Sequence, residues 1–361
     1  MPHRLQTPFK PLSRRLFSQK ALAWGALLWA AVELPSLAKP SRPVKLEKPK
    51  LTVGVDGKSA FYHLPLTIAD RLGYFEAEGL ELEVVDFSAS ALALQALWGG
   101  AVDICSGSFE NTLALQAKNQ FIQAFVLQGR APQIAFGVST KTMPGYKTLD
   151  DLRGKKIGVS SLDGSSTMLA RLVLARGGLK IDDVVYAAVG SFANAANALR
   201  TGYVDAISHT DPMMTMLEQK GEVKIIQDTR SLKASFDFFG GSMPAACLYA
   251  PPPFIQKNPN TCQALANAIV HSLKWLQTAG PGDLIKAVPE NYMLGDRALY
   301  LASFSKVREC MSLDGIFPEE GPRTALRALS PFDQSFRVGK IDLSKTYTNE
   351  FAKRAKELFK V

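Results

Sequence analysis

Cysteine and histidine are both scarce in this chain, and neither occurs at a spacing that metal or redox chemistry would use. The four cysteines, Cys105, Cys247, Cys262 and Cys310, contain no Cys-x-x-Cys, and no histidine sits at metal-ligand spacing. They read as small buried residues, with Cys247 and Cys262 the nearest pair should a disulfide form. Catalytic signatures are missing as well: the chain has no G-x-S-x-G, G-x-G-x-x-G, G-x-x-x-x-G-K or H-E-x-x-H. No metal and no cofactor is implied, although a catalytic site assembled from distant residues stays open. Clustered positive charge is also lacking. The formal charge is +9, but Lys and Arg are scattered, which argues against nucleic acid as a partner.

What is present begins at the N-terminus. The basic stretch "PLSRRLFSQK" (11–20) precedes the apolar "ALAWGALLWAAVELPSLA" (21–38), and Ser36-Leu37-Ala38 offers small residues to a signal peptidase. This reads as an export signal cleaved near Ala38, followed by a linker over 39–50 and leading to the periplasm. Ser13-Arg14-Arg15-Leu16-Phe17 also resembles the twin-arginine pattern, which then departs at Ser18-Gln19; the alternative is the basic region of an ordinary secretory signal. Glu33 and Pro35 interrupt a stretch already short for a spanning helix, and no later segment is long and apolar enough. Removal of 1–38 takes away five basic groups and one acidic group, leaving a formal charge of +5.

The remaining chain has ordinary globular composition and enough length for two domains. It contains one unit twice: "ALWGGAVDICS" (96–106) and "ALRTGYVDAIS" (198–208) share Ala, Leu, Gly, Val, Asp and Ser in register. Around the first copy, strands at 51–55, 80–87 and 101–105 alternate with helices at 64–79 and 90–99. Around the second, strands at 154–161, 182–190 and 203–208 alternate with helices at 166–178 and 191–202. Each βαβαβ unit favours a parallel sheet with right-handed crossovers. After 251 the chain is mainly helical. "QIAFGVS" (133–139) and "AACLYA" (245–250) are candidate crossings between lobes, giving lobe 1 over 51–135 plus 250–361 and lobe 2 over 140–245. A chain passing out and back makes a hinge, and clefts between domains are preferred ligand sites.

In open parallel sheets, ligands bind beyond the carboxyl ends of strands, where loops lead into helices. That rule selects "DGKSAFYH" (56–63), "SGSFEN" (106–111), "SSLDGSST" (160–167) and "SHTDP" (208–212). These loops are rich in hydroxyls and glycine, which with a helix N-terminus suit an anionic or polar group. The candidate ligand residues are Ser59, Phe61, Tyr62, His63, Ser106, Gly107, Ser108, Ser165, Ser166, Thr167, His209 and Asp211. For Ser165, Ser166 and Thr167 the competing role is helix capping; for the aromatics it is the core, and for Asp211 it is capping a helix that contains "PMMTMLEQ". Arg130 fits the lobe edge better than the cleft.

"LTIADRLGYFEAEGLELEVV" with "QALWGGAVDICSGS" resembles the first lobe of the ABC-transporter solute-binding proteins of the sulfonate, nitrate, taurine and thiamine-precursor class. "KTLDDLRGKKIGVSSLDGSSTMLARLVLARGGL" resembles the opening of their second lobe, and "FIQKNPNTCQALANAIVHSLKWLQ" their return helix. The likeness covers most of residues 50–330. It implies an α/β, type II periplasmic-binding-protein fold: two lobes with a hinge, closing on a small solute such as a sulfonate, nitrate or a pyrimidine precursor. The implied partners are that solute and an inner-membrane ABC permease, with the chain acting as a monomer. The family brings to its ligand the same four loops that the strand-end rule selects. Two alternatives belong to other classes. One is an enzyme of the same fold, a pyrimidine-precursor synthase, whose cysteine-rich motif has no counterpart here; the other is an exported sensor domain.

Overall fold

The computed structural model describes residues 45–190, 192–331, 336 and 340–361. The expected export signal with its paired arginines, and the first part of the linker, lie outside the described residues. In chain order the first elements are β1 (Lys50–Asp56), α1 (Leu64–Arg71), α2 (Tyr74–Ala77), β2 (Glu81–Phe87), α3 (Ser90–Trp98), β3 (Ile104–Ser108), α4 (Glu110–Gln116) and β4 (Gln123–Leu127). The chain then enters a second sheet through β5 (Ile134–Ser139). It continues as β6 (Lys156–Val159), α5 (Ser165–Arg176), β7 (Val185–Ala188), α6 (Phe192–Thr201), β8 (Ala206–Thr210), α7 (Met213–Gln219), β9 (Val223–Asp228) and α8 (Leu232–Phe239). β10 (Ala246–Ala250) returns to the first sheet. The remainder is helical: α9 (Pro252–Lys257), α10 (Pro259–Thr278), α11 (Pro281–Ala287), α12 (Arg297–Val307), α13 (Gly321–Leu329) and α14 (Glu350–Phe359).

The strand orders are β2-β1-β3-β10-β4 and β7-β6-β8-β5-β9. Neither sheet is wholly parallel, contrary to the sequence expectation. β10 runs antiparallel between β3 and β4, and β5 runs antiparallel between β8 and β9. The reason lies in connectivity. Each of these strands comes from the other sheet, β5 through a loop after β4 and β10 after α8, so no crossover within its new sheet requires it to run parallel.

The repeated sequence unit has a repeated structure. After α3, Ala101 N–H returns to Ala96 O at 2.9 Å; after α6, Tyr203 N–H returns to Ala198 O at 2.9 Å. Gly100 and Gly202 turn the chain there with φ of +73° and +83°, a conformation other residues adopt at a cost. The shared aspartates then clamp the neighbouring strand. Asp103 N–H donates to Thr52 O at 2.8 Å while its carboxylate accepts from Thr52 N–H at 3.1 Å; Asp205 does the same to Lys156, at 2.8 and 3.0 Å. These turns occupy 101–103 and 203–205, so β3 and β8 begin later than expected. Ser106, Gly107, Ser108 and His209 are consequently strand residues, not loop residues. The expected helix at 64–79 is likewise divided, because Gly73 takes φ of +70° between α1 and α2.

Each sheet is packed on both faces. Leu51, Val53 and Val55 of β1 alternate into a core with α1 and the 20-residue α10, while Cys247 and Tyr249 of β10 face a second core with Phe109 and Phe317. In the second sheet, Ile207 and Val223 face α6 and α7, whereas Phe136, Ile157 and Val159 face α5. All four cysteines are free and buried. No helix of the described residues is long and apolar enough to cross a membrane.

Phe61, a candidate for the cleft wall, belongs to the first core instead. It is 1% exposed, with ring centroids 4.7 Å from Tyr300 and 5.8 Å from Phe304. The short turn Phe61–His63 points its first ring inward and leaves Tyr62 and His63 for the other side. Phe61→Ala should therefore lower unfolding free energy by about 3–5 kcal/mol in urea denaturation, the cost of a large core cavity.

Candidate functional site

A cavity of about 350 Å³ is walled by the carboxyl ends of strands from both sheets. The first sheet contributes the segment after β1 (Asp56, Gly57, Ser59, Ala60, Tyr62, His63), the segment after β2 (Ser88, Ala89, Ser90), and Ser108 and Asn111. The second contributes Ser160, Ser161, Gly164, Ser165 and Ser166 before and at the start of α5, Gly190 and Phe192 at the start of α6, and His209 and Thr210.

The hydrogen bonds around His63 fix the orientation of its ring. Gln128 Nε2 donates to Ser106 Oγ at 2.8 Å, Ser106 Oγ lies 2.9 Å from His63 Nδ1, and His63 Nε2 lies 3.2 Å from the Asp56 carbonyl oxygen. A carbonyl only accepts, so Nε2 carries a proton, and the Asp56 carboxylate lies 3.6 Å from the same nitrogen. Ser106 is thus a support for His63 and does not line the cavity. Gly107 does not line it either: a side chain there would meet the Tyr249 hydroxyl at 2.6 Å.

His209 is held in the same way. Its Nε2 donates to Gly190 O at 3.0 Å, its Nδ1 accepts from Thr210 N–H at 2.9 Å, and burial pushes its pKa down. Both cleft histidines therefore have both ring nitrogens hydrogen-bonded. The Phe192 ring stands edge-on to His209 at 5.5 Å and closes that side.

Ser108 and Ser165 join the two halves of the wall. Their hydroxyl oxygens are 2.7 Å apart, and Ser108 also donates to the Glu110 carboxylate. Glu110 is buried, which raises its pKa to about 7. Its Oε1 and the Tyr62 hydroxyl have no partner among the described residues. Ser166 organises its own loop, accepting from Ser160 N–H at 3.0 Å while its carbonyl accepts from Ser208 Oγ at 2.7 Å.

Two further candidates, Thr167 and Asp211, are structural. Thr167 donates to Ser161 O at 2.6 Å and shapes the approach to α5 without reaching the cavity. Asp211 is buried beside Arg230: its carboxylate accepts from Thr215 N–H at 2.8 Å and Thr215 Oγ1 at 2.9 Å, with Arg230 Nη1 at 3.4 Å. Burial raises the Asp211 pKa and the guanidinium opposes that rise. Arg130 donates to Glu309 O at 3.0 Å and lies away from the cavity. Sequence reasoning missed the segment Asp86–Ser90 and the pair Gly190 and Phe192. Both follow second strands, β2 and β7, and the strand-end rule extended to those strands would have found them.

Known proteins resemble the chain closely enough to place it. A family model described as "NMT1/THI5 like" matches residues 60–279. A Bordetella bronchiseptica RB50 protein of solved structure is 52% identical, with TM-score 0.85, over 88% of this chain and 100% of its own. YtlA of Bacillus subtilis (strain 168), which carries a binding-protein name, is 23% identical over 64% of this chain and 68% of its own length; other curated relatives are spanned over 63% of theirs. The alkanesulfonate-binding protein SsuA from Xanthomonas axonopodis pv. citri, bound to MOPS, matches with TM-score 0.68 at 18% identity, over 84% of this chain and 100% of its own. At that identity the match establishes the fold: two mixed sheets in the manner of periplasmic binding proteins.

The role of Asp211 as a buried ion-pair partner is open to a direct check. Arg230→Met should cost about 3–5 kcal/mol in chemical denaturation, because it leaves a carboxylate buried without its cation, and adding Asp211→Asn should recover part of the loss.

Proposed function

Because the chain belongs to the NMT1/THI5-like family, we propose that it is the solute-binding component of an ABC importer. In this reading it captures a small solute in the periplasm and hands it to an inner-membrane permease. The two lobes, 51–135 plus 250–361 and 140–245, would turn about the crossings that lead into β5 and β10. The single observation that carries the reading is the 2.7 Å hydrogen bond between Ser108 at the end of β3 and Ser165 at the start of α5. It links the two sheets across a cavity that both of them wall. A solute touching both walls makes contacts that an open form cannot make together, and that difference drives closure. The binding-protein names among the relatives and the expected export signal support the same reading. The candidate ligand contacts are Ser59, Tyr62, His63, Ser108, Ser165, Ser166 and His209.

The competing reading is an enzyme of the same fold. Both cleft histidines have their ring nitrogens engaged, which leaves neither as a free general base and supports capture over turnover. Thermal-shift screening with sulfonates, nitrate, aromatic acids and pyrimidines should find a solute that raises the melting temperature by mass action. Calorimetry should then give one site per chain, with the solute recovered unchanged; steady conversion of it would favour the enzyme. Ser108→Ala and Ser166→Ala should each weaken affinity about tenfold, the value of one to two polar contacts, while shifting the melting temperature of the free protein little. Unchanged affinity in both variants would remove these residues from the site.

A further inference from the structure

Helix α12 is fastened to both halves of the molecule. Its Tyr300 and Phe304 pack on Phe61 in the core of the first sheet, and the turn Phe61–His63 carries Tyr62 and His63 to the cavity. Near the end of the same helix, Lys306 Nζ reaches the Glu218 carboxylate of α7 at 2.8 Å. α7 packs on the second sheet and follows closely on His209 and Thr210, which line the opposite wall. One helix therefore touches the supports of both walls.

The chain keeps crossing just beyond α12. The Glu309 carboxylate accepts from the N–H of Leu232, the first residue of α8, at 2.8 Å, and Cys310 Sγ donates to the Arg230 carbonyl oxygen at 3.2 Å. α8 lies between β9 of the second sheet and β10 of the first, so Glu309 grips the return crossing at its start, where a carboxylate also meets the positive end of a helix. The Glu218 end is held firmly as well. Its carboxylate accepts from Arg230 Nη2 at 3.1 Å, and Arg230 is 1% exposed, with Asp228 and Thr215 taking further donors at 2.6 to 3.1 Å.

Building on the solute-binding reading, we infer that the segment from Lys306 to Cys310 is a clasp that sets the resting angle between the two sheets. Its parts differ in how readily they let go. Cys310 and the Arg230 side chain are buried and form the fixed part, whereas Lys306 and Glu218 are 40% and 36% exposed, so water and salt compete for their bond. A rotation that parts α7 from α12 must break the Lys306–Glu218 pair or drag α12 with it, and dragging α12 would pull Tyr300 and Phe304 off Phe61. The pair therefore opposes opening, by an amount small enough for thermal motion to reverse.

The test reads the opening without any solute, as the distance between spin labels measured by double electron–electron resonance. Ala91→Cys on α3 and Asp163→Cys before α5 put one label at an exposed position on each side of the cavity, and the four native cysteines are buried. Adding Lys306→Met should raise the ratio of long to short distances about two- to fivefold, the range that exposed ion pairs contribute. Raising NaCl from about 0.1 M to about 1 M shortens the Debye length from about 10 Å to about 3 Å, and should shift the labelled protein with Lys306 the same way while leaving Lys306→Met unmoved. Lys306→Arg should keep the original ratio. An unchanged distribution in Lys306→Met overturns the inference, as does insensitivity of the Lys306 protein to salt or a Lys306→Arg that behaves like Lys306→Met. Lys306→Gln, read on the same terms, serves should Lys306→Met not fold. Failure of the solute-binding reading shows separately, as the lack of any compound that raises the melting temperature.

Discussion

The site depends on how the third strand of each βαβαβ unit is fixed to the first. Asp103 does this for β3 against β1, and Asp205 for β8 against β6, each by one backbone bond and one carboxylate bond to the same neighbouring residue. A slip of one residue in either pairing would exchange the side chains of the two packed faces and shift the strand ends that wall the cavity, because side chains alternate along a strand. Three residues beyond each aspartate, a serine fastens the first loop of its own unit: Ser106 to His63, and Ser208 to the Ser166 carbonyl. The two copies of the repeat are therefore two copies of one clamp, and both present their strand ends to a single cavity.

That clamp explains which parts of the fold and site were legible in the sequence. The repeat and the order of strands and helices within each of its copies follow from periodicity and from glycines that end helices. Ser59, Tyr62, His63, Ser108, Ser165, Ser166 and His209 came from the strand-end rule and do line the cavity. The rule lost resolution where strands started later than their apolar runs suggested. Ser106 and Gly107 then fell inside β3 and turned to supporting roles. Phe61 and Asp211 took the competing roles read for them, core and helix cap, and the partners that decide this, α12 and Arg230, are distant in sequence. The antiparallel entry of β5 and β10 was hidden in the same way, since strand direction is set by where the chain comes from.

Charge is where structure and family likeness part. The likeness includes proteins for sulfonates and nitrate, and SsuA carries MOPS in a fold of the same kind. In this chain, hydroxyl-rich loops and helix starts surround a cleft whose charged groups are carboxylates. Fold and chemistry are separable here: the scaffold sets a two-sided trap, and a few side chains at the strand ends set what it holds.

The central claim is that one solute is held by both sheets at once. It is tested most directly by a crystal structure of the protein with a compound that raises its melting temperature. The account predicts the compound in the cavity, in contact with Tyr62 and Ser108 from the first sheet and with Ser165, Ser166 or Phe192 from the second. A compound seated elsewhere, or touching only one of the two sheets, would contradict it.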